Sequence, residues 1–249
     1  MNFLPVPKLL QWIPGLSQQY LCPQTTLVTS GCSFTSSTLQ LETAASWPGY
    51  VLDRCRFDHC IDYSYPGTGN DYIGDSILYH FKSIDDIELS KYFVIIMWSG
   101  IDRVESKILD SSDQPNLGGV YYQRVNHTDR GLEQAQCSYK KIFEVYEYLS
   151  YRKINFVFTC YANLLFPPYI PKRDTTKEFD HWLTNSQVAA LTNIPWVPTE
   201  SMDFLYEYAW RNDYLNDGDH FHPPVHANLK WTDDILLPGL CNQGFISKL

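Results

Sequence analysis

The strongest constraint on the fold is a continuous apolar run over residues 91–98, Lys91-Tyr92-Phe93-Val94-Ile95-Ile96-Met97-Trp98. A run this rich in aliphatic and aromatic residues predicts a strand that is covered on both faces, as in a parallel sheet. Shorter runs at 25–30, 57–63 and 154–160 predict further strands, and a fifth at 195–198 is weakened by its two prolines. Because helical patterns lie between these runs, we expect an α/β domain with a mostly parallel sheet.

Two helical patterns separate the predicted strands. Residues 70–81 place Ile73, Ile77 and Phe81 at four-residue spacing, and a second apolar stripe follows a 4-3-4-3 rhythm from Ala135 to Leu149. Residues 99–130 show no clear period. We interpret that segment as a long loop or insertion that shapes a binding site. Residues 1–24 are interpreted as an N-terminal extension of one domain that spans 1–249.

The charge of the chain argues against two classes of partner. Nineteen Lys and Arg face 28 Asp and Glu, which gives a net charge of -9, and there is no basic run. We therefore expect no nucleic-acid binding and no attraction to an anionic membrane surface. No apolar segment approaches the roughly 20 residues that span a bilayer. The prolines at the start make a poor signal peptide, so we expect a cytoplasmic or virion-associated protein.

The seven cysteines are scattered, odd in number and contain no Cys-x-x-Cys pair. This pattern argues against a disulfide scaffold and against a cysteine-rich zinc site. Free thiols in a reducing compartment are the simplest interpretation.

Three residues have the chemistry of a nucleophilic triad. Ser33 directly follows the first predicted strand, and ligands of parallel sheets lie beyond the carboxyl ends of the strands. A serine needs a base to act as a nucleophile. Asp219 and His222 lie three residues apart near the other end of the chain, so the carboxylate can orient the imidazole toward a serine hydroxyl. Without them, Ser33 would be interpreted as a helix-capping turn residue.

These motifs together resemble the SGNH (GDSL-type) hydrolase family. The resemblance rests on Gly31-Cys32-Ser33-Phe34-Thr35, on Tyr65-Pro66-Gly67-Thr68-Gly69-Asn70-Asp71 and on Asp219-x-x-His222-Pro223. Trp47-Pro48-Gly49-Tyr50 is similar to phage and bacterial members. The resemblance implies a three-layer α/β/α sandwich with a flavodoxin-like sheet, and an ester hydrolase. It also implies that Ser33 is the nucleophile, His222 the base and Asp219 its partner. The backbone N–H groups of Ser33 and Gly67 would stabilise the oxyanion.

One block departs from the family pattern. Members usually carry Gly-x-Asn-Asp after the third strand, and that Asn completes the oxyanion hole. This chain has Trp98-Ser99-Gly100-Ile101-Asp102-Arg103, which places Asp102 where the Asn is expected. A carboxylate there would repel an oxyanion unless it is protonated or turned toward Arg103. Ser99 and Asn70 are alternative donors. The family's usual Asp is also replaced by Cys32.

Other candidate residues have simpler interpretations. Gly74-Asp75-Ser76 matches the family's name literally, but it lies inside the helical pattern of residues 70–81. Cys32 is a possible nucleophile, yet no motif places a base against it, and we interpret it as a small buried hydrophobe. The cluster of His220, His222 and His226 has metal-ligand residue types. No second segment supplies further ligands, so no metal is expected.

The sequence thus predicts a serine esterase that acts on small acyl esters without a cofactor. Acetyl groups on a carbohydrate are the expected substrate. The alternative is a structural or glycan-binding protein of a virion, built on the same fold and with weak or no activity. The Asp102 departure favours that alternative. Acyl transfer to a sugar would use the same residues as hydrolysis.

Overall fold

The apolar runs of the sequence form a five-stranded central sheet. The computed structural model describes residues 8–10, 19–36, 46–100, 103–108, 116–117, 120–125, 131–162, 191, 193–198, 203–217 and 222–249. Across the sheet the strands are β1 (Lys8–Leu10), β4 (His59–Asp62), β3 (Thr26–Gly31), β5 (Tyr92–Trp98) and β9 (Asn155–Cys160). β1 is antiparallel to β4, and all other pairs are parallel. The predicted α/β class and its mostly parallel sheet are confirmed.

The four longer predicted strands are present, and the fifth is reduced to a single bridge. Trp196 forms an isolated parallel bridge with Phe158 of β9. The N–H of Phe158 donates to the carbonyl of Pro195, and the N–H of Val197 donates to the carbonyl of Phe158. Pro195 therefore takes part only as an acceptor, which a proline can do. The second proline removes the donor that a longer ladder would need.

The helices of the described residues follow the apolar stripes of the sequence. They are α1 (Trp47–Arg54), α2 (Asn70–Lys82), α3 (Gly131–Tyr151), α4 (Leu205–Arg211), α5 (Val225–Trp231) and α6 (Leu237–Asn242). A π-helical segment, Thr232–Leu236, joins α5 to α6, and short 3-10 helices cover Asp86–Lys91 and Tyr214–Asp217. The predicted helix over 70–81 and the predicted stripe of 135–149 are confirmed by α2 and α3.

The helices cover the sheet from both sides, which makes three layers. On one side α2 packs against α3, and Ser30 of β3 points at α2, where its hydroxyl bonds the carbonyl of Ile73. On the other side Phe93 of β5 stacks with Phe57, which follows α1 in the chain, and contacts Phe245, which follows α6. Alternate residues of each strand therefore face opposite helical layers.

The segment predicted as a loop or insertion contains a small second sheet. Its antiparallel strands are β6 (Val104–Ile108), β8 (Val120–Val125) and β7 (Asn116–Leu117), in that order. The sequence predicted a long loop or insertion over 99–130 and did not predict strands in it. These strands were missed because charged and polar residues break the alternation that marks a half-buried strand.

The chain ends also pair with the body of the protein. β1, which lies within the segment interpreted as an extension, pairs with β4 of the central sheet. β2 (Tyr20–Leu21) pairs with β10 (Ser247–Lys248), so residues early in the chain lie beside its last strand. Among the described residues, no helix combines the length and the apolar character that spanning a membrane requires.

Candidate active site

The candidate site lies at the carboxyl end of the central sheet. The four parallel strands β3, β4, β5 and β9 end at Gly31, Asp62, Trp98 and Cys160. The segments that follow carry the Ser33 turn, the Gly67 turn, Ser99 and Tyr161. Because parallel strands point the same way, these segments meet at one edge, where ligands of such sheets bind.

Ser33 and His222 are in direct contact although 189 positions separate them in the chain. The Nε2 atom of His222 lies 2.8 Å from the Oγ atom of Ser33. Ser33 is only 9% exposed, and a turn directly after β3 holds it, in which the N–H groups of Thr35 and Ser36 donate to the carbonyl of Cys32. This is the distance at which an imidazole can accept the hydroxyl proton.

Neighbouring side chains hold both the ring of His222 and the turn that follows it. Its ring contacts the ring of Phe34 at a centroid distance of 5.0 Å. The two prolines that follow it lead into α5, and the side-chain amide of Asn228 donates to the carbonyls of Pro223 (3.3 Å) and Pro224 (3.4 Å). Asn228 is buried, so it fixes the turn that presents the imidazole. No sequence pattern predicts this role of Asn228.

Three residues of interest lie outside the described residues. Asp219, predicted to orient His222, is one of them, and Asp102 and His220 are the others. Of the remaining histidine cluster, His226 packs edge-on against Tyr214 at a centroid distance of 4.9 Å. Within the described ranges, no group of three or more His, Cys, Asp or Glu side chains is arranged to hold a metal ion.

The backbone N–H groups of Ser33 and Gly67, which the sequence predicted for an oxyanion hole, have no hydrogen-bond acceptor among the described residues. The Gly67 turn is fastened to the end of β3, because the carbonyl of Gly31 accepts from the N–H of Tyr65 (3.0 Å) and from Oγ1 of Thr68 (3.4 Å). Gly67 has φ +82°, a conformation that favours glycine.

The two alternative oxyanion donors, Asn70 and Ser99, bond to each other. The Nδ2 atom of Asn70 donates to the carbonyl of Ser99 (3.2 Å), and its Oδ1 accepts from the N–H of Ser99 (2.8 Å). This reciprocal pair ties the start of α2 to the end of β5. The hydroxyl of Ser99 is buried and makes no hydrogen bond to any described residue.

A buried carboxylate caps the helix that begins at this edge. The two oxygens of Glu105, on β6, accept hydrogen bonds from the N–H groups of Gly69 and Tyr72, both at 2.8 Å. These are donors that the first turn of α2 leaves unpaired. Burial raises the pKa of Glu105 to about 7, and the nearby Asp71 and Asp75 also raise it, while the two N–H bonds lower it. The small sheet is thereby fixed to the Gly67–Asn70 segment.

The two alternative nucleophiles, Ser76 and Cys32, are both buried in the interior of the protein. Ser76 lies inside α2, is fully buried, and its Oγ contacts Oγ of Ser30 and the carbonyl of Ile73, both at 2.8 Å. It is therefore a packing residue between helix and sheet, as its helical context predicts. Cys32 is a free thiol and fully buried.

Three further residues lie at this edge: Phe34 and Arg103, to which the sequence assigned no binding role, and Tyr161, which it did not predict. The ring of Phe34 stacks on that of Tyr161 at 4.3 Å, and the guanidinium carbon of Arg103 lies 5.4 Å from the centre of the Tyr161 ring. Tyr161 follows the end of β9 directly, and Arg103 lies five residues beyond the end of β5. Their place after parallel strands is the signal that would have found them.

Comparison with known proteins shows where this fold occurs elsewhere. No family model and no curated protein matches the sequence. Among solved structures, the chain is similar to one described as the crystal structure of TesA, with 17% identity over 86% of this chain and 97% of that chain and a TM-score of 0.52. The two chains share a fold. A GDSL-like lipase from Bacteroides thetaiotaomicron is also similar, with 13% identity, 88% and 89% coverage and a TM-score of 0.42.

Proposed function

We propose that this chain is a serine ester hydrolase of the SGNH type. The contact of 2.8 Å between His222 Nε2 and Ser33 Oγ carries the proposal, because it joins a base and a nucleophile at the edge where such sheets bind ligands. The fold shared with TesA and the family motifs around Ser33, Gly67 and His222 support it. The literal Gly74-Asp75-Ser76 string has no part in it.

The reaction follows from the positions of two side chains. Ser33 Oγ attacks the ester carbonyl while His222 Nε2 takes its proton, and the carbonyl π electrons move onto the oxygen. The tetrahedral intermediate collapses, the alkoxide leaves, and His222 returns the proton to it. Water then attacks the acyl-enzyme with His222 as base and releases the carboxylic acid. Asp219 is proposed to hold the second imidazole nitrogen in the required tautomer.

The oxyanion is proposed to bind three donors. Two are the N–H groups of Ser33 and Gly67, which have no acceptor among the described residues. The third is the hydroxyl of Ser99, because Asn70 already uses its amide oxygen and one N–H on the Ser99 backbone. Removing one such donor typically lowers kcat by about 10²–10³-fold. Ser99 thus takes the place of the asparagine that the family carries.

Small acyl esters are the proposed substrates, and acetyl groups on a carbohydrate are the specific candidate from the sequence. The steps above use side chains and water, so no cofactor is assigned. Hydrolysis of 4-nitrophenyl acetate by the wild type, Ser33→Ala and His222→Ala is the direct test. Both variants should lose at least about 10²-fold in kcat, as loss of a nucleophile or base does.

Ser76→Ala is the matched control for the same assay. It removes a hydroxyl from the string that names the family but lies inside α2, so it should keep kcat within about twofold while lowering stability by about 1 kcal/mol. Activity that survives in Ser33→Ala, or that disappears in a folded Ser76→Ala, would contradict the proposal. A folded, inactive wild type that binds glycan would favour the binding-protein alternative.

A further inference from the structure

We propose that Arg103 and Tyr161 form an anion-binding subsite, so that the preferred ester carries a carboxylate in its alcohol or its acyl part. The inference deepens the proposed function and rests on it for the identity of the reacting ester. The subsite is a cation at the carboxyl edge of the sheet, and binding measurements test it separately from turnover.

Three contacts place Arg103 against the proposed catalytic machinery. Its Nη1 lies 3.4 Å from the carbonyl of Thr68, the neighbour of Gly67 in the proposed oxyanion turn. Its backbone lies directly on Gly69, since a β-carbon there would come within 2.5 Å of the Arg103 carbonyl oxygen. Its guanidinium carbon lies 5.4 Å from the centre of the Tyr161 ring. Only a glycine at position 69 permits this approach.

A second line of contacts leads from Arg103 to the nucleophile. Tyr161 stacks on Phe34, Phe34 contacts His222, and His222 bonds Ser33. Arg103 therefore reaches the reacting pair through the aromatic rings on one side and through the Thr68 turn on the other. Both routes run along the carboxyl edge of the sheet, so we place the guanidinium at the same edge as Ser33.

The charge of Arg103 has not been neutralised by the described protein. A guanidinium stays charged at all relevant pH values and offers five donors. In the described ranges, carboxylates form ion pairs with Arg54, Lys91, Lys141, Arg152 and Arg211, and no ion pair involves Arg103. Its hydrogen bond to Thr68 is long. In a chain with nine excess negative charges, a half-buried cation of this kind favours an anionic ligand.

The geometry suits a carboxylate more than a diffuse negative surface. A guanidinium offers its donors in a planar fork, and that fork matches the two oxygens of a carboxylate in a bidentate contact. Bidentate pairs of this kind discriminate strongly against the neutral amide of the same shape, because the amide replaces one acceptor by a donor. Arg103 is thus assigned as a specificity residue, and Ser33 and His222 remain the reacting groups.

Arg152 provides a matched control within the same chain. Its guanidinium carbon also lies over a tyrosine ring, that of Tyr148, at 5.6 Å, but it pairs with Asp86 far from the carboxyl edge. Arg152→Gln removes the same charge and the same kind of stacking without touching the site. Any effect that both variants share is therefore an effect of net charge or stability.

Calorimetric titration tests the subsite without requiring turnover. The ligands are 4-hydroxybenzoate against 4-hydroxybenzamide, which represent the alcohol part, and succinate against succinamide, which represent the acyl part. The wild type and Arg152→Gln should bind at least one anion about tenfold to hundredfold more tightly than its amide, as expected for charge-assisted bonds. Arg103→Gln should lose that ratio, and Arg103→Lys should keep part of it.

The kinetic arm separates this inference from the proposed function. The ratio of kcat/KM for 4-nitrophenyl hemisuccinate to kcat/KM for 4-nitrophenyl acetate should fall about tenfold or more in Arg103→Gln. Equal binding of both anions and both amides by the wild type overturns the subsite, even if esters are hydrolysed through Ser33. An anion preference that depends on Arg103 in a protein that hydrolyses no ester supports the subsite and contradicts the proposed function.

Discussion

Replacing Glu105 by glutamine should destabilise the protein at low pH and much less at neutral pH. Glu105 is 8% exposed and accepts two backbone hydrogen bonds, from Gly69 and Tyr72. Glutamine can accept one of them, and its amide hydrogens then face the other donor. One buried N–H without an acceptor costs about 1–3 kcal/mol. For a chain of this size that corresponds to a drop in Tm of about 2–12 °C.

The pH dependence has a definite sign. Burial raises the pKa of Glu105 from its ordinary value of 4.5 to about 7, so in this interval the folded state binds a proton that the unfolded state has released. The free energy of unfolding therefore falls as pH rises from 4.5 to 7, by about 3 kcal/mol at 1.36 kcal/mol per pKa unit. Glutamine does not titrate, so the deficit of about 1–3 kcal/mol should shrink by this amount. Above pH 7 the variant should therefore be as stable as the wild type, or up to about 2 kcal/mol more stable.

His80 titrates in the same interval with the opposite sign. Burial lowers its pKa to about 4, so the folded state stays neutral while the unfolded state is protonated, and stability rises with pH from 4 to 6.5. The wild-type profile is therefore flatter than either group alone would make it. Because both proteins contain His80, its contribution cancels in the difference between them.

Urea unfolding of the wild type and Glu105→Gln between pH 4.5 and 8 measures that difference. Glu88→Gln is the control, since Glu88 lies in an exposed pair with Lys91 and should change stability by less than about 1 kcal/mol at any pH. A deficit of Glu105→Gln that grows with pH would refute the reasoning. It would mean that the two N–H donors outweigh burial and hold the pKa of this carboxyl below its ordinary value.

Three further substitutions give expected outcomes. Asn70→Ala should lower Tm by about 4–12 °C, because it leaves the buried N–H and carbonyl of Ser99 without their partner, and thermal unfolding that moves by less than 2 °C would argue against that pair. Asn228→Ala should lower kcat for 4-nitrophenyl acetate by about tenfold at nearly unchanged KM, since it frees the turn that presents His222; an unchanged kcat would remove its positioning role. Cys32→Ala should keep kcat within about threefold, and its loss in a folded protein would make the thiol the nucleophile.

The central sheet was predictable because its strands are long apolar runs. Residues 92–98 are buried on both faces of a parallel sheet, so their sequence needs no alternation to identify them. The bridge at Trp196 was only partly predictable. Prolines weaken a strand pattern because they lack a backbone N–H, yet Pro195 takes part in the bridge through its carbonyl. A sequence pattern does not show whether the bridge needs an N–H at a given position.

The small sheet was not predictable for a related reason. β6 places Glu105 inside the protein, where a hydrophobic pattern expects an apolar residue. Its burial is compensated by two N–H groups at the start of α2, about 35 residues earlier in the chain. Such compensation depends on tertiary contacts and leaves no local mark in the sequence.

For the candidate site, the two reacting residues were predictable and the residues around them were not. Ser33 and His222 were named from chemistry and motif, and the structure brings them together. Arg103 and Tyr161 were missed because a cation–aromatic pair that follows two different strands has no fixed spacing. The topology of the sheet predicts that they lie close together, since both residues follow strands that end at the same edge.

Labelling with a fluorophosphonate probe tests the central claim most directly. We expect an adduct on Ser33, located by peptide mass spectrometry, that is absent in Ser33→Ala. In His222→Gln the adduct should form at least about 10²-fold more slowly, because only an adjacent base activates this hydroxyl. Ser76→Ala should label at the wild-type rate. No adduct on a folded wild type, or labelling of Ser33 at the same rate without His222, would contradict the proposed nucleophile and base.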